Sequence, residues 1–244
     1  MKRPKLGPRL FRRRDAPTDS ISAYVEPLKP RGDEYLLSNT LPLPGAGADG
    51  NEALNLLASG IVEQHIAYGR RGLAVCGASA GAGVTFVAAS LAMAVARTGV
   101  STLLVDANLH RPGVQYLIQP PRSTPGLQEL LESEGAIDLD PVRHDIMPQF
   151  AVIYAGKSEI SPSELLAGGR LRDVVFACLR DFRCVVFDTP PANRSPDARM
   201  IGAAVGYALL VARRGESYAD DLTMLARQLE QDHIAVVGGV LNEG

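Results

Sequence analysis

Apolar positions along this chain fall into two alternating rhythms. Short unbroken apolar runs, each read as a strand buried on both faces, occupy residues 73–76, 101–107, 150–154, 184–188, 207–212 and 235–241. Helical stretches separate them: a long apolar one at 84–96 and a short amphipathic one at 126–132, then others at about 171–180 and 218–232. Ser161, Pro162 and Glu164 form a helix start: the serine can cap, proline suits the first helical position, and glutamate can return the hydrogen bond. Ahead of the first run, Ala53, Leu54, Leu57, Ile61 and Ile66 put apolar side chains on one helical face up to about Tyr68. Residues 110–119 read as loop. Strands alternating with helices predict an α/β fold, a parallel sheet flanked by helices on both faces. Such sheets bind ligands at the C-terminal ends of their strands, where the glycine-rich stretch at 77–85, Asp106, Asp188 and Asn242 all fall.

Residues 1–50 lack this rhythm. Pro4, Pro8, Pro17, Pro27, Pro30, Pro42 and Pro44 punctuate them, glycines gather at 45–50, and little apolar surface offsets the entropy cost of ordering. They are expected to form a disordered tail, with 51–244 as the folded domain. Charge is also segregated. Lys2, Arg3, Lys5, Arg9, Arg12, Arg13 and Arg14 give the first fourteen residues +7 with no acid, so in a chain of net charge −2 the remainder carries −9. An acidic body with 5% aromatics and no Trp argues against a nucleic-acid-binding domain. The basic run at 2–14 can contact anionic lipid, each Lys or Arg near a charged leaflet contributing about 1 kcal/mol; a plain solvated tail is the competing expectation.

Cys76, Cys178 and Cys184 show no C-x-x-C spacing and sit in apolar runs, which predicts reduced buried thiols rather than a metal or redox site. No apolar stretch reaches membrane-spanning length. The N-terminus has positive charge but no apolar core or cleavage site of a signal peptide, so a cytoplasmic location is expected.

The chemistry concentrates in LAVCGASAGAGVTFVAAS, residues 73–90. A strand, a glycine turn and a helix in that order converge loop N–H groups and the positive helix end on one anion. In the P-loop version, G-x-x-x-x-G-K-[ST], lysine reaches the β/γ-phosphates and the hydroxyl holds Mg²⁺. Here Gly81, Gly83 and Thr85 are kept, and the lysine position is Val84. Asp106 and Asp188, each closing an apolar strand, can bind Mg²⁺ directly or through water and orient an attacking group; loop capping is the plainer role for either. GASAGAG also suits the cofactor loop of short-chain dehydrogenases, with Asp106 placed as the ribose acid. Those enzymes need Tyr followed four residues later by Lys, and the seven tyrosines here are followed by Leu28, Asn39, Gly72, Pro120, Ser158, Val211 and Leu222. The dehydrogenase reading fails on its chemistry.

From about residue 50 onward the order of segments resembles the ATPase domain of bacterial tyrosine autokinases of capsule and exopolysaccharide synthesis, the CpsD/CapB family within the MinD/ParA-like P-loop ATPases. The stretches that carry the resemblance are GAGVT, LLVDANLHRP, PGLQELL, AVIYAGKSEISPSELL, CVVFDTPP, ALLVARRGES and VVGGVLN. It implies that the loop at 81–85 corresponds to Walker A, that Asp106 and Asn108 stand on the two acids of a D-x-D motif, and that Asp188 is the Walker B acid. It further implies a catalytic ancestry for Asp106 and Asp188, a metal role for Thr85 and Asp188, and an Asn242 near the adenine. ATP or ADP with Mg²⁺ is the implied cofactor, and a membrane chain-length protein (polysaccharide co-polymerase) the implied partner, with the chain peripheral to the inner membrane.

The departures from the pattern are equally specific. Val84 removes the ammonium that neutralises transferring phosphoryl charge, a charged hydrogen bond of about 1.5–3 kcal/mol in ordinary settings, in a reaction catalysed mainly by such electrostatics. Asn108 offers oxygen without charge. The sequence stops at Gly244 after its last strand, so the tyrosine-rich tail of the family is expected to be missing. The oligomerisation helix E-x-x-R-x-x-R has Asn55 and Ala58 at its arginine positions. Together these predict a catalytically impaired, tyrosine-kinase-like regulator of polysaccharide chain length, synthesis or export that binds nucleotide weakly or has lost it. The alternatives are an active kinase or ATPase of the same pathway that borrows a cation such as Arg70, Arg71 or a partner's arginine, and a positioning ATPase of the MinD/ParA branch. The latter would keep its lysines and often a membrane-targeting helix.

Overall fold

The computed structural model describes residues 35–41 and 48–243. Most of the expected tail, including the basic run at 2–14, lies outside the described residues. Seven strands build the main sheet: β2 (Gly72–Gly77), β3 (Thr102–Asp106), β5 (Arg143–Met147), β6 (Phe150–Ile153), β7 (Cys184–Asp188), β8 (Tyr207–Arg213) and β9 (Ala235–Asn242). Their order across the sheet is β5-β6-β3-β7-β2-β8-β9, parallel throughout except for β5, which runs antiparallel to β6. The α/β parallel-sheet expectation therefore holds, with one antiparallel edge added. That edge strand escaped the periodicity because its sequence, RHDIM, is mostly polar.

Burial on both faces explains the unbroken apolar runs. Alternate side chains of one strand enter different cores: Ala74 and Cys76 pack with α4 (Leu127–Glu132), α6 (Arg170–Asp181) and α7 (Asp197–Val205), whereas Leu73 and Val75 pack with α2 (Val84–Arg97). Helix α2 is apolar nearly all round because α1 (Ala48–Gln64) covers its outer side; Ala58 of α1 is 1% exposed. An arginine at 58 would have to enter that packed seam, so the loss of the E-x-x-R-x-x-R pattern has a structural counterpart. Asn55 accepts a hydrogen bond from Arg97 Nη2 at 3.4 Å.

Four elements go beyond the sequence-based expectation. Leu36–Leu37 (β1) pairs antiparallel with Ile118–Gln119 (β4), and Leu41 beside it is 1% exposed, so part of the stretch expected to be tail docks on the body. The region 110–119, expected as loop, contains the short helix α3 (Val114–Leu117) and then β4. Helix α7 follows Ser195 and Pro196, hidden from the sequence by its small-residue content. The Ser161 start is as expected: its side chain accepts from the Glu164 N–H and Pro162 opens α5 (Pro162–Ala167). The three cysteines are free and buried, and desolvation pushes the Cys76 thiol up to about 11 and those of Cys178 and Cys184 up to about 12. No helix among the described residues is long and apolar enough to cross a membrane.

Candidate nucleotide site

Strand β2 ends at Gly77, and the chain turns through the loop into α2 using two left-handed glycines, Gly81 and Gly83, both at φ +84°. Such turns point successive N–H groups inward and set them before the positive end of a fourteen-residue helix. Gly83 is doubly required: besides its φ, a Cβ there would lie within bonding range of the Asn242 amide nitrogen. That amide donates from Nδ2 to the Ala82 carbonyl at 3.2 Å, and Arg213 Nη1 donates to the Gly81 carbonyl at 3.4 Å. The Gly81–Ala82 segment of the loop is thus held from β8 and β9.

Val84 is 8% exposed and folds back: a Cβ on Gly77 would meet its Cγ2 at 2.7 Å. The isopropyl group fills the space beneath the loop as part of the α2 core. At the loop position where a P-loop lysine is expected there is an apolar plug.

The loop forms one wall of a pocket of about 480 Å³, in the range of small-molecule sites. The segment after β3 supplies Asn108, His110 and Arg111; the segment after β7 supplies Thr189, Arg194 and Ser195. Of the residues expected at the site, Gly81, Gly83, Val84, Thr85 and Asn108 line this pocket. Asn242 does not line it; its observed partner is the loop, which it props from behind. A second cleft of about 520 Å³ lies at the opposite end of the sheet, and its one titratable lining group, His144, stacks on Phe182. It lacks the convergent polar groups of the first.

Asp106 and Asp188 are register partners on adjacent strands, both fully buried beneath the pocket. Their surroundings differ. Asp106 accepts from the N–H groups of Gly113 and Val114, both at 3.0 Å, and of Asn108 at 3.2 Å. Neither carboxylate oxygen of Asp188 has a hydrogen-bond partner among the described residues. Burial raises Asp106 to about 6 against the pull of its three backbone donors. Burial raises Asp188 well above the ordinary carboxylate range, helped by the charge of Asp106; the Thr85 hydroxyl opposes this from nearby without reaching hydrogen-bond geometry.

These features fit a nucleotide with its metal. The glycine nest and helix end suit phosphate, no lining residue is acidic, and an orphaned carboxylate lies below Thr85. No cluster of three or more His, Cys, Asp or Glu among the described residues can hold a metal alone, so Mg²⁺ here would share its ligands with phosphate oxygens, as Mg²⁺ usually does. Thr85 and Asp188 would hold it, and it would neutralise phosphate charge.

Sequence reasoning missed the basic groups. Arg70 and Arg71, considered as substitute cations, stand at the start of β2. Arg70 packs over the Tyr207 ring and Arg71 donates to the Leu179 carbonyl, a strand length of about 20 Å from the loop. The arginines that line the pocket are Arg111 and Arg194, joined by His110, whose Nε2 pairs with the buried Asp197 carboxylate at 2.7 Å. Their signal was the positive charge in LHRP and ANRSPD, immediately after two strand ends.

No protein-family model matches the chain. It is 32% identical over 170 residues to the tyrosine-protein kinase etk of Escherichia coli K12 and 31% identical over 171 residues to a putative tyrosine-protein kinase in the cps region of Klebsiella pneumoniae. Each match covers 70% of this chain but 23% of the relative, so the chain corresponds to about a quarter of those proteins. Among solved structures, the kinase domain of the Escherichia coli kinase ETK superposes with a TM-score of 0.74 at 29% identity, covering 84% of this chain and 82% of that one. The septum site-determining protein MinD of Pyrococcus horikoshii, complexed with Mg-ADP, shares the fold at a TM-score of 0.58 and 18% identity, over 70% of this chain and 69% of its own. The chain is therefore homologous, over this domain, to the bacterial tyrosine kinases, built on the fold of the MinD-type P-loop ATPases.

Proposed function

We propose that this chain is a nucleotide-binding, catalytically impaired relative of the bacterial tyrosine kinases that regulates the synthesis, chain length or export of a polysaccharide. The observation that carries the reading is Val84. The glycine nest, Thr85 and the buried acids persist, while the lysine position holds an apolar side chain packed against Gly77. Backbone N–H groups and the helix end can bind phosphate without it. They cannot follow the charge that develops in transfer as a mobile ammonium does, and phosphoryl transfer is accelerated chiefly by such stabilisation.

The pathway follows from the capsule and exopolysaccharide kinases that the sequence resembles, one of them located in a cps region. The partner is a membrane chain-length protein, and the basic run at 2–14 is either a contact to anionic lipid beside it or a plain solvated tail. Detergent extracts should yield a chain-length or export protein with this chain, and deletion of residues 1–14 should weaken binding to anionic vesicles in the first case.

A second reading, an active kinase or ATPase, is favoured by one observation: Arg111 and Arg194 bring positive charge to the pocket by another route. Turnover decides between the two. The purified protein should release negligible phosphate from ATP-Mg²⁺ and show no tyrosine autophosphorylation. Robust turnover that Asp188→Ala abolishes would replace the impaired reading with an active enzyme.

A further inference from the structure

The pocket wall opposite the glycine loop is basic. Arg111 and Arg194 reach it from two different strand ends, neither guanidinium has a partner among the described residues, and the remaining lining groups include no carboxylate. His110 adds an imidazole, but its Nε2 is committed to Asp197, whose other oxygen accepts from Ser163 Oγ at 3.4 Å. An exposed arginine on a loop is ordinary. Two unpaired ones lining the same pocket as a nest of backbone N–H groups, with an orphaned buried carboxylate suited to a metal nearby, form a charge pattern made for a polyanion carrying a cation.

We propose that Arg111 and Arg194 take over from the absent loop lysine, clamping the phosphate chain of a nucleoside di- or triphosphate from the side opposite the glycine loop. The proposal rests on the nucleotide-binding reading and assigns that site its cations. Val84 closes the lysine's route from below, so charge is supplied from the mouth instead. Guanidinium forks suit this task, since each can grip two phosphate oxygens at once. A clamp at the mouth holds the ground state and the product equally, which strengthens binding without accelerating transfer. Retained affinity and lost turnover then have one structural cause. Because recognition is by phosphate charge, affinity should rise from the mono- to the di- and triphosphate and extend to inorganic triphosphate.

Calorimetric titration of the full chain with ATP-Mg²⁺, ADP-Mg²⁺, AMP and inorganic triphosphate tests this. Arg111→Gln and Arg194→Gln should each weaken ATP and triphosphate binding by about tenfold or more, at the level of one charged hydrogen bond. AMP should change little. Arg180→Gln, remote from the pocket and paired with Asp181, should match wild type. Val84→Lys in the doubly substituted background should recover part of the lost affinity if loop and mouth cations serve the same phosphates. Circular dichroism and thermal melts on each variant separate loss of binding from loss of fold, and Arg111→Lys and Arg194→Lys should lie between wild type and the glutamines. If wild type binds ATP and the glutamine variants bind it equally well, the clamp is wrong and the nucleotide-binding reading survives. If wild type binds neither ATP nor triphosphate at millimolar concentration, the nucleotide-binding reading falls and the clamp with it.

Discussion

The ends of β3 and β7 present the same residue in the same register with opposite fates. Asp106 is tied by three backbone N–H groups to the segment that follows it, and so holds residues 108–114 in place. Asp188, its neighbour across the ladder, is as deeply buried and has no such partner. Buried polar groups are nearly always paired, and an unpaired carboxylate costs stability. One acid therefore works for the fold, whereas the other is kept at the fold's expense. The contrast shows that sequence position alone does not assign a role: both residues close an apolar strand, and only their hydrogen-bond partners distinguish them.

The largest expected effect comes from removing the anchored acid. Asp106→Ala strands three backbone donors and frees the loop to α3, a loss on the order of 3 kcal/mol, or about 2–4 °C of Tm for each kcal/mol in a domain of this size. Asp188→Ala should cost less than about 1 kcal/mol or stabilise, because it deletes an uncompensated group at the expense of a small cavity. Denaturant unfolding of both variants checks the pair. Equal losses would erase the distinction.

Val84→Lys comes next. It should raise affinity for ATP-Mg²⁺ roughly ten- to a hundredfold if one charged hydrogen bond of about 1.5–3 kcal/mol is regained. Turnover need not return, as Asn108 lines the pocket with an oxygen that carries no charge. Titration calorimetry beside a phosphate-release assay reads both quantities.

Titration sharpens the comparison further. Both carboxyls are raised in the folded state, Asp106 to about 6 by burial against its three backbone donors, and Asp188 well above the ordinary carboxylate range by burial and the neighbouring charge of Asp106. Between the unfolded value near 4 and these folded values, the native state binds more protons than the unfolded one. Stability is therefore highest below pH 4 as far as these groups are concerned, and falls as pH rises through the folded values, by up to about 1.4 kcal/mol per pH unit per proton. Asp188→Ala should flatten part of that slope, by removing one raised carboxyl and the charge that helps to raise the other. A slope unchanged by the substitution would mean that Asp188 is not the protonated member of the pair.

A small effect is expected at Asn242. Asn242→Ala removes the prop beneath Ala82 and should cost about 1 kcal/mol, while relieving the crowding that forbids a side chain at Gly83. Gly83→Ala should thus be less damaging beside Asn242→Ala than alone, although the left-handed φ still penalises it. Thermal melts of the two single variants and the double variant read the coupling.

The alternation of apolar runs and helical stretches determined the layered α/β architecture, because a strand buried on both faces can be satisfied only by helices above and below. The glycine spacing likewise announced the loop, and the lone valine its missing charge, since both are facts of residue type. Four matters belonged to tertiary structure. The polar edge strand β5 and the docked β1 owe their form to partners distant in sequence, which no local period reports. Asn242 was legible as a strand-end residue, but its duty to Ala82 depends on β9 lying beside β8. Arg111 and Arg194 are ordinary loop arginines until two strand ends bring them to one pocket, whereas Arg70 and Arg71, closer to the loop in sequence, are carried to its far end by the length of β2. Asp106 and Asp188 looked alike in sequence because carboxylates are identical there; burial and the direction of three N–H groups, which only the packed chain sets, made them different.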